Sequence, residues 1–209
     1  PERPLLLVVA GDRGLCGRYN ALLFRRADEE LERLKPALVI GVGDKAQTWA
    51  AKAGVELAAS FHGFGGGAAG PVHEQVAQQV TSMFDQGLCD AVFAVHTPFR
   101  SMLHNIPITT RVLPLLRPEE LPRPASVSAD AKLPGPVGYL YEPGRERVLD
   151  VLFPRAARAQ IVCIVLEAAA AEQAARMTAM TAATDNAEEL IQELTRLRNR
   201  IRQQEITTE

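Results

Sequence analysis

An α/β domain built on a parallel sheet, followed by one long carboxy-terminal helix with coiled-coil spacing, is the fold class that the sequence predicts. Two observations carry it. Apolar runs and amphipathic stretches alternate through the first part of the chain, the pattern of strands and helices in an α/β unit. From Pro154 to Glu209 there is then no glycine, no further proline and abundant alanine, the composition of an uninterrupted helix. The expected division is an α/β domain over 1–145 and a long helical arm over 146–209.

The elements follow in order. Leu5 to Ala10 is a continuous apolar run that stops at Gly11-Asp12-Arg13-Gly14, which reads as an interior parallel strand ending in a glycine turn. Tyr19 to Leu34 is an amphipathic helix, with Leu22, Leu23, Ala27, Leu31 and Leu34 on one side and Asp28, Glu29, Glu30 and Glu32 opposite. Pro36 ends it. Ala37 to Gly43 is a second strand, and Asp44 is placed to cap a short helix reaching Trp49 and Lys52. Gly63 to Gly70 reads as a loop, and Val72 to Gly87 as a helix with Val76, Val80, Met83 and Phe84 inward. Ala91 to Val95 is a third strand, and His96-Thr97-Pro98 reads as a surface turn closing it. Six of the 14 prolines fall between Leu113 and Gly138, which predicts an extended surface connection. A short strand is expected at Val137 to Tyr141. Pro154 is expected in the first turn of the last helix, where its missing N–H costs nothing.

Composition narrows the function classes. The formal charge of -2 disfavours a nucleic-acid or membrane-surface binder. Cys16, Cys89 and Cys163 stand far apart without metal-ligand spacing, which suits reduced thiols in a cytosolic setting. The longest apolar run, Ile161 to Leu166, is far too short to span a bilayer. Proline at position 1 leads us to expect that the native start lies upstream.

Along the last helix Met177, Met180, Thr184, Ala187, Ile191, Leu194, Arg198 and Ile201 alternate steps of three and four, the seam of a coiled coil. Such a stripe needs a partner helix. The turn Gly11, Asp12, Arg13, Gly14, Cys16 and Gly17 could cradle a phosphate at a helix start. It lacks the Gly-Lys-Ser/Thr of a P-loop and the full dinucleotide glycine spacing, so a structural turn is the preferred reading. Cys16 beside Arg13 could be an activated thiol, although a small packed residue is the simpler role. A small α/β enzyme using this turn or Cys16, and a coiled-coil adaptor, both stay open at this point.

Two segments then carry a resemblance. Gly11 to Asn20, Gly-Asp-Arg-Gly-Leu-Cys-Gly-Arg-Tyr-Asn, resembles the Asp-Arg-Gly-Leu-Cys-Gly-x-aromatic-Asn signature of F-type ATP synthase gamma subunits. Glu172 to Met180, Ala183 to Ala187 and Asn199 to Glu209 are similar to that family's carboxy-terminal signature almost residue for residue. Tyr141-Glu142-Pro143 and Leu113-Pro114-Leu115 match weaker landmarks in the right order. The resemblance covers the whole chain. It departs in lacking the amino-terminal helix that pairs antiparallel with the terminal one, in stopping at Ile-Thr-x-Glu, and in having Ala171 where many members have serine.

The resemblance implies a Rossmann-like domain that needs no cofactor, and a non-catalytic rotor role in coupling ion flow to ATP turnover. Its implied partners are the catalytic and non-catalytic hexamer subunits, a small epsilon-type subunit and the membrane ring, at the cytoplasmic face of a bacterial cell membrane. No nucleic acid and no direct membrane span are implied. Arg202, Gln203 and Thr207 match family residues that contact a loop of the catalytic subunit. Arg196, Arg198, Arg200 and Arg202, which by themselves read as a solvated face with Glu193 and Glu205, would flank the seam where the shaft enters the hexamer.

Overall fold

The computed structural model describes residues 1–63, 72–102, 105–115 and 141–208. Among them lie β1 (Pro4–Val9), α1 (Tyr19–Leu34), β2 (Leu38–Val42), α2 (Asp44–Ala53), β3 (Ala59–Phe61), α3 (Val72–Asp85), β4 (Ala91–His96), β5 (Ile108–Leu113) and α4 (Arg145–Thr208). The loop at 64–70, the proline-rich stretch beyond 115 and the strand expected at 137–140 lie outside the described residues.

The five strands stand in the order β3-β2-β1-β4-β5. β1 is central and parallel to both β2 and β4, and β5 joins the far edge antiparallel to β4. Every residue of β1 is buried, as expected of a strand covered on both faces. Its side chains alternate between two cores. Leu5, Leu7 and Val9 face α3 and α4, while Leu6, Val8 and Ala10 face α1 and α2. The result is a three-layer α/β sandwich with α4 as part of one outer layer.

Only a middle segment of α4, from Ala157 to Ala175, belongs to that layer. Ala157, Ile161, Ile164, Val165 and Ala168 pack into the core, and Arg158 reaches across to Glu74 of α3 at 2.7 Å. From Thr181 onward every described side chain is exposed. A 64-residue helix rises roughly 95 Å, so about half of it projects bare from the sandwich.

Several sequence expectations are corrected. α4 starts at Arg145, so Pro154 sits inside the helix instead of in its first turn. The carbonyl four residues earlier, on Asp150, loses its donor there, and the exposed position lets water replace it. Leu113 ends β5 and does not begin a surface connection. The N-cap of α2 is Gly43, not Asp44. With φ at +90°, a Cβ on Gly43 would stand 2.3 Å from the carbonyl oxygen of Ala10, so only glycine fits. Glu30 does not face water. It is 3% exposed, accepts a hydrogen bond from Thr109 at 2.8 Å and pairs with Arg26 and Arg33, which ties α1 to β5.

His96 and Thr97 are buried rather than part of a surface turn, because β5 and its neighbours cover the end of β4. The His96 ring bonds Thr110 through Nε2 at 3.0 Å, and its Nδ1 is buried without a partner. Burial lowers its pKa to about 4. In the unfolded chain the ring titrates near 6.5, so between about 6.5 and 4 the unfolded state binds the extra proton. Stability from neutral His96 is therefore full above that window and lost as pH falls through it. Urea titrations at pH 7 and pH 5 should differ by about 2 kcal/mol from this group. His96→Gln should flatten the slope over this interval, and an unchanged slope would show that the ring protonates freely in the folded protein.

Candidate functional site

The two signature segments, distant in sequence, meet where α4 crosses the β1–α1 turn. The turn is shaped by its glycines and by Asp12 and Asn20. Gly11 donates its N–H to Asn20 Oδ1 at 3.0 Å. Asp12 Oδ1 accepts the N–H of Gly63 at 3.2 Å and that of Asp44 at 3.4 Å, which joins the ends of three strands. Gly17 has φ at +58°, in the left-handed region, and lies close to Ala179.

Above this turn α4 presents a stripe of small residues. Ala171 and Ala175 pack with Cys16 and Tyr19 in a cluster of their own. The Tyr19 hydroxyl donates to the carbonyl oxygen of Ala168 at 3.1 Å. Glu172, 1% exposed, lies directly over Gly11, where an added Cβ would stand 2.8 Å from Glu172 Oε1. Arg176, one turn along, binds that same oxygen, while Oε2 is buried with no hydrogen-bond partner. A cavity of about 300 Å³ is lined by this pair together with Asp12, Arg13, Asp44, Gly63 and Gln173.

The electrostatics suit packing better than chemistry. Burial, assisted by the Glu172 charge, raises the Cys16 thiol above its usual range, and the same two causes raise the Tyr19 phenol. Cys16 is thus a neutral packed thiol at pH 7 and not an activated nucleophile. An anion settling on the turn would meet the Glu172 carboxylate, and the Gly11 N–H is already taken. Among the described residues an Asp–His pair lies nearby, Asp44 and His62 at 2.6 Å; it is exposed, and the second ring nitrogen faces the Gln47 amide at 3.0 Å instead of a nucleophile. Among the described residues no group of His, Cys, Asp and Glu side chains could hold a metal ion.

The other sequence-selected residues stand elsewhere. Met177, Met180, Thr184, Ala187, Ile191, Leu194 and Ile201 all lie on the exposed part of α4, with Leu194 56% exposed. Arg202, Gln203 and Thr207 are exposed in its last turns, where Thr207 Oγ1 donates to the Gln203 carbonyl at 2.6 Å. They sit roughly 45 Å along the helix from Glu172. Sequence reading quoted Glu172 and Arg176 but gave them no role. The available signal was an acid and a base four apart on a stripe of alanines.

The burial pattern makes a chemical prediction. Cys163 is exposed on α4, whereas Cys16 and Cys89 are buried with raised pKa values. Ellman's reagent at neutral pH should label one thiol quickly and the other two only on unfolding. Rapid labelling of Cys16 would overturn its packed, neutral state.

Comparison with known proteins agrees with this geometry. The family model described as ATP synthase matches residues 1–209. The ATP synthase gamma chain of Heliobacterium modesticaldum is 38% identical over 97% of this chain and 69% of its own length. That of Moorella thermoacetica is 37% identical over 97% and 68%. The rotor of the Euglena gracilis mitochondrial ATP synthase superposes with a TM-score of 0.65 at 18% identity, covering 98% of this chain and 74% of that one. The central stalk of the Tetrahymena thermophila mitochondrial ATP synthase gives 0.63 at 20%, covering 88% and 77%. Among the described residues no helix is long and apolar enough to cross a membrane. With a family match along its whole length and close gamma-chain relatives over nearly all of it, the chain belongs to the ATP synthase gamma-chain family, a non-catalytic subunit of that complex.

Proposed function

We propose that this chain is a central-stalk rotor that carries torque along α4 between an ion-driven membrane ring and a catalytic hexamer. The observation that carries the reading is the division of α4, with the segment from Ala157 to Ala175 built into the sandwich and the described side chains from Thr181 free of it. A lever needs both. Hexamer and ring are its partners at the level that the family supplies. The finer assignments are ours: the sandwich seats a small epsilon-type subunit, the protein sits peripherally at the cytoplasmic face of the cell membrane, and the bare half of α4 enters the hexamer.

Torque requires differential contact. An asymmetric shaft presents a different surface to each surrounding site, so each conformation is favoured by a different amount and nucleotide affinities separate. Arg202, Gln203 and Thr207 are our candidates for that contact with the catalytic subunit. Alanine at both Arg202 and Gln203 should weaken ion-driven ATP synthesis in the assembled complex. Since both side chains are exposed, the stability of the chain should stay within about 0.5 kcal/mol. Unchanged synthesis, hydrolysis and assembly would remove these residues from the torque path.

The seam from Met177 to Ile201 is proposed as half of an antiparallel coiled coil, in keeping with the family resemblance. Burying a large apolar side chain contributes roughly 1.5–3 kcal/mol, so a stripe this long does not stay wet when a partner is at hand. In ultracentrifugation the 209-residue chain alone should self-associate, and a peptide of the family's amino-terminal helix should convert it to a one-to-one complex. A strict monomer whose terminal helix is fully protected from hydrogen exchange would contradict the seam.

A further inference from the structure

We propose that Glu172 is a positioning residue, whose carboxylate, held by Arg176 over the bare α-carbon of Gly11, sets the angle at which the shaft leaves the sandwich. The inference rests on the rotor reading above and goes beyond it by naming the fulcrum.

Burial of the carboxylate is the first reason. Glu172 is 1% exposed and its Oε2 has no hydrogen-bond partner. A methionine or leucine of similar volume would fill the space without the cost of desolvating a charge. Its partner does not explain the burial either. Arg176 lies four residues on along the same helix, so their ion pair by itself attaches α4 to nothing. What the pair does is stiffen a side chain whose far end rests on Gly11.

Position on the helix is the second reason. Tyr19 holds the carbonyl of Ala168, Cys16 packs against Ala171 and Ala175, and Gly17 comes close to Ala179. Thr178 Oγ1 touches the carbonyl of Met102 at 3.4 Å. Glu172 is in the middle of this seat, and every described side chain from Thr181 is bare. α4 is held from Ala157 to Ala179, roughly 33 Å, and the arm beyond it, to Thr207, is roughly 42 Å. A displacement of 1 Å across the held segment therefore becomes roughly 1.3 Å at the tip. Hydrogen bonds at the contacts proposed for Arg202 and Gln203 weaken over a shift of that size.

The third reason is the fit at Gly11. A Cβ there would stand 2.8 Å from Glu172 Oε1, 2.9 Å from its Cδ and 3.3 Å from Asn20 Oδ1. The carboxylate would have to retreat toward the cavity beside it, and its tie to Arg176 opposes that. Gly14, in the same turn, has nothing within 4 Å of an added Cβ. The same substitution at the two glycines thus separates the seat from the turn.

The test uses the assembled complex carrying this chain, with ion-driven synthesis and ATP hydrolysis measured side by side, and the thermal midpoint of the chain in parallel. Gly11→Ala should lower the midpoint by about 5 °C and reduce synthesis severalfold while hydrolysis persists, the signature of a mis-seated shaft. Gly14→Ala should match the parent in all three. Glu172→Asp, one methylene shorter, no longer reaches Gly11 and should also lose synthesis with its fold intact, which keeps the test open if Gly11→Ala does not fold. The double variant should recover much of the synthesis, because the new methyl fills the gap that the aspartate leaves. Full synthesis in Glu172→Asp, or synthesis and hydrolysis falling together with no recovery in the double variant, overturns the positioning role. A parent complex that cannot couple at all strikes the rotor reading and the positioning role together, whereas a loss confined to the variants leaves the rotor reading standing.

Discussion

The close approach of α4 to the end of the central strand is the constraint on which the rest of the molecule depends. It is possible only because the two surfaces are stripped of bulk. Gly11 offers no side chain, and Ala168, Ala171 and Ala175 offer one carbon each. Gly43 plays the same part on the next strand, where the carbonyl of Ala10 lies too near for any Cβ. With the helix this close, the Tyr19 hydroxyl reaches the Ala168 backbone and the ends of β1 and β2 are locked together through Asp12. Interiors this tightly packed transmit displacement instead of absorbing it. That property serves a part that must turn as one body.

The same helix lives in two environments. From Ala157 to Ala175 an apolar stripe is buried and stability comes from packing on the sheet and α3. From Thr181 no described side chain is buried, so helix formation there draws on propensity and on growth from an already formed turn. Nucleation is the costly step in helix formation and propagation adds one bond per ordered residue. The packed segment supplies formed turns from which the helix can grow, and alanine, leucine, glutamate and arginine in the bare part keep propagation favourable.

Much of this was legible in the sequence, and the failures have physical causes. β1 could be read because six consecutive residues are apolar on both faces. β3 could not, since three residues give no periodicity. β5, with Thr109, Thr110 and Arg111 in its middle, looks polar because it is an edge strand whose side chains reach Glu30 and His96. Glu30 and His96 were misplaced for the same reason: a titratable residue reads as surface until a partner from another element is known. The turn from Gly11 to Gly17 and the carboxy-terminal signature were each recognised, but not that they touch. Only the tertiary fold brings residue 172 over residue 11.

The contact also bears on what α4 does to the strand ends, where sheets of this kind hold ligands in many enzymes. Ligands in open α/β sheets bind in the crevice beyond the carboxyl ends of the strands. Here α4 crosses the end of β1, and Glu172 places a negative charge where an anionic cofactor would seek backbone N–H groups. Three buried groups nearby are held in their neutral forms, the Cys16 thiol and Tyr19 phenol pushed up and the His96 imidazole pushed down by burial. Each shift moves a group away from the range in which it would trade protons at neutral pH. A catalyst needs such groups poised, and a shaft has no use for them in that state. The chemistry given up at the turn is what allows the helix to be held there.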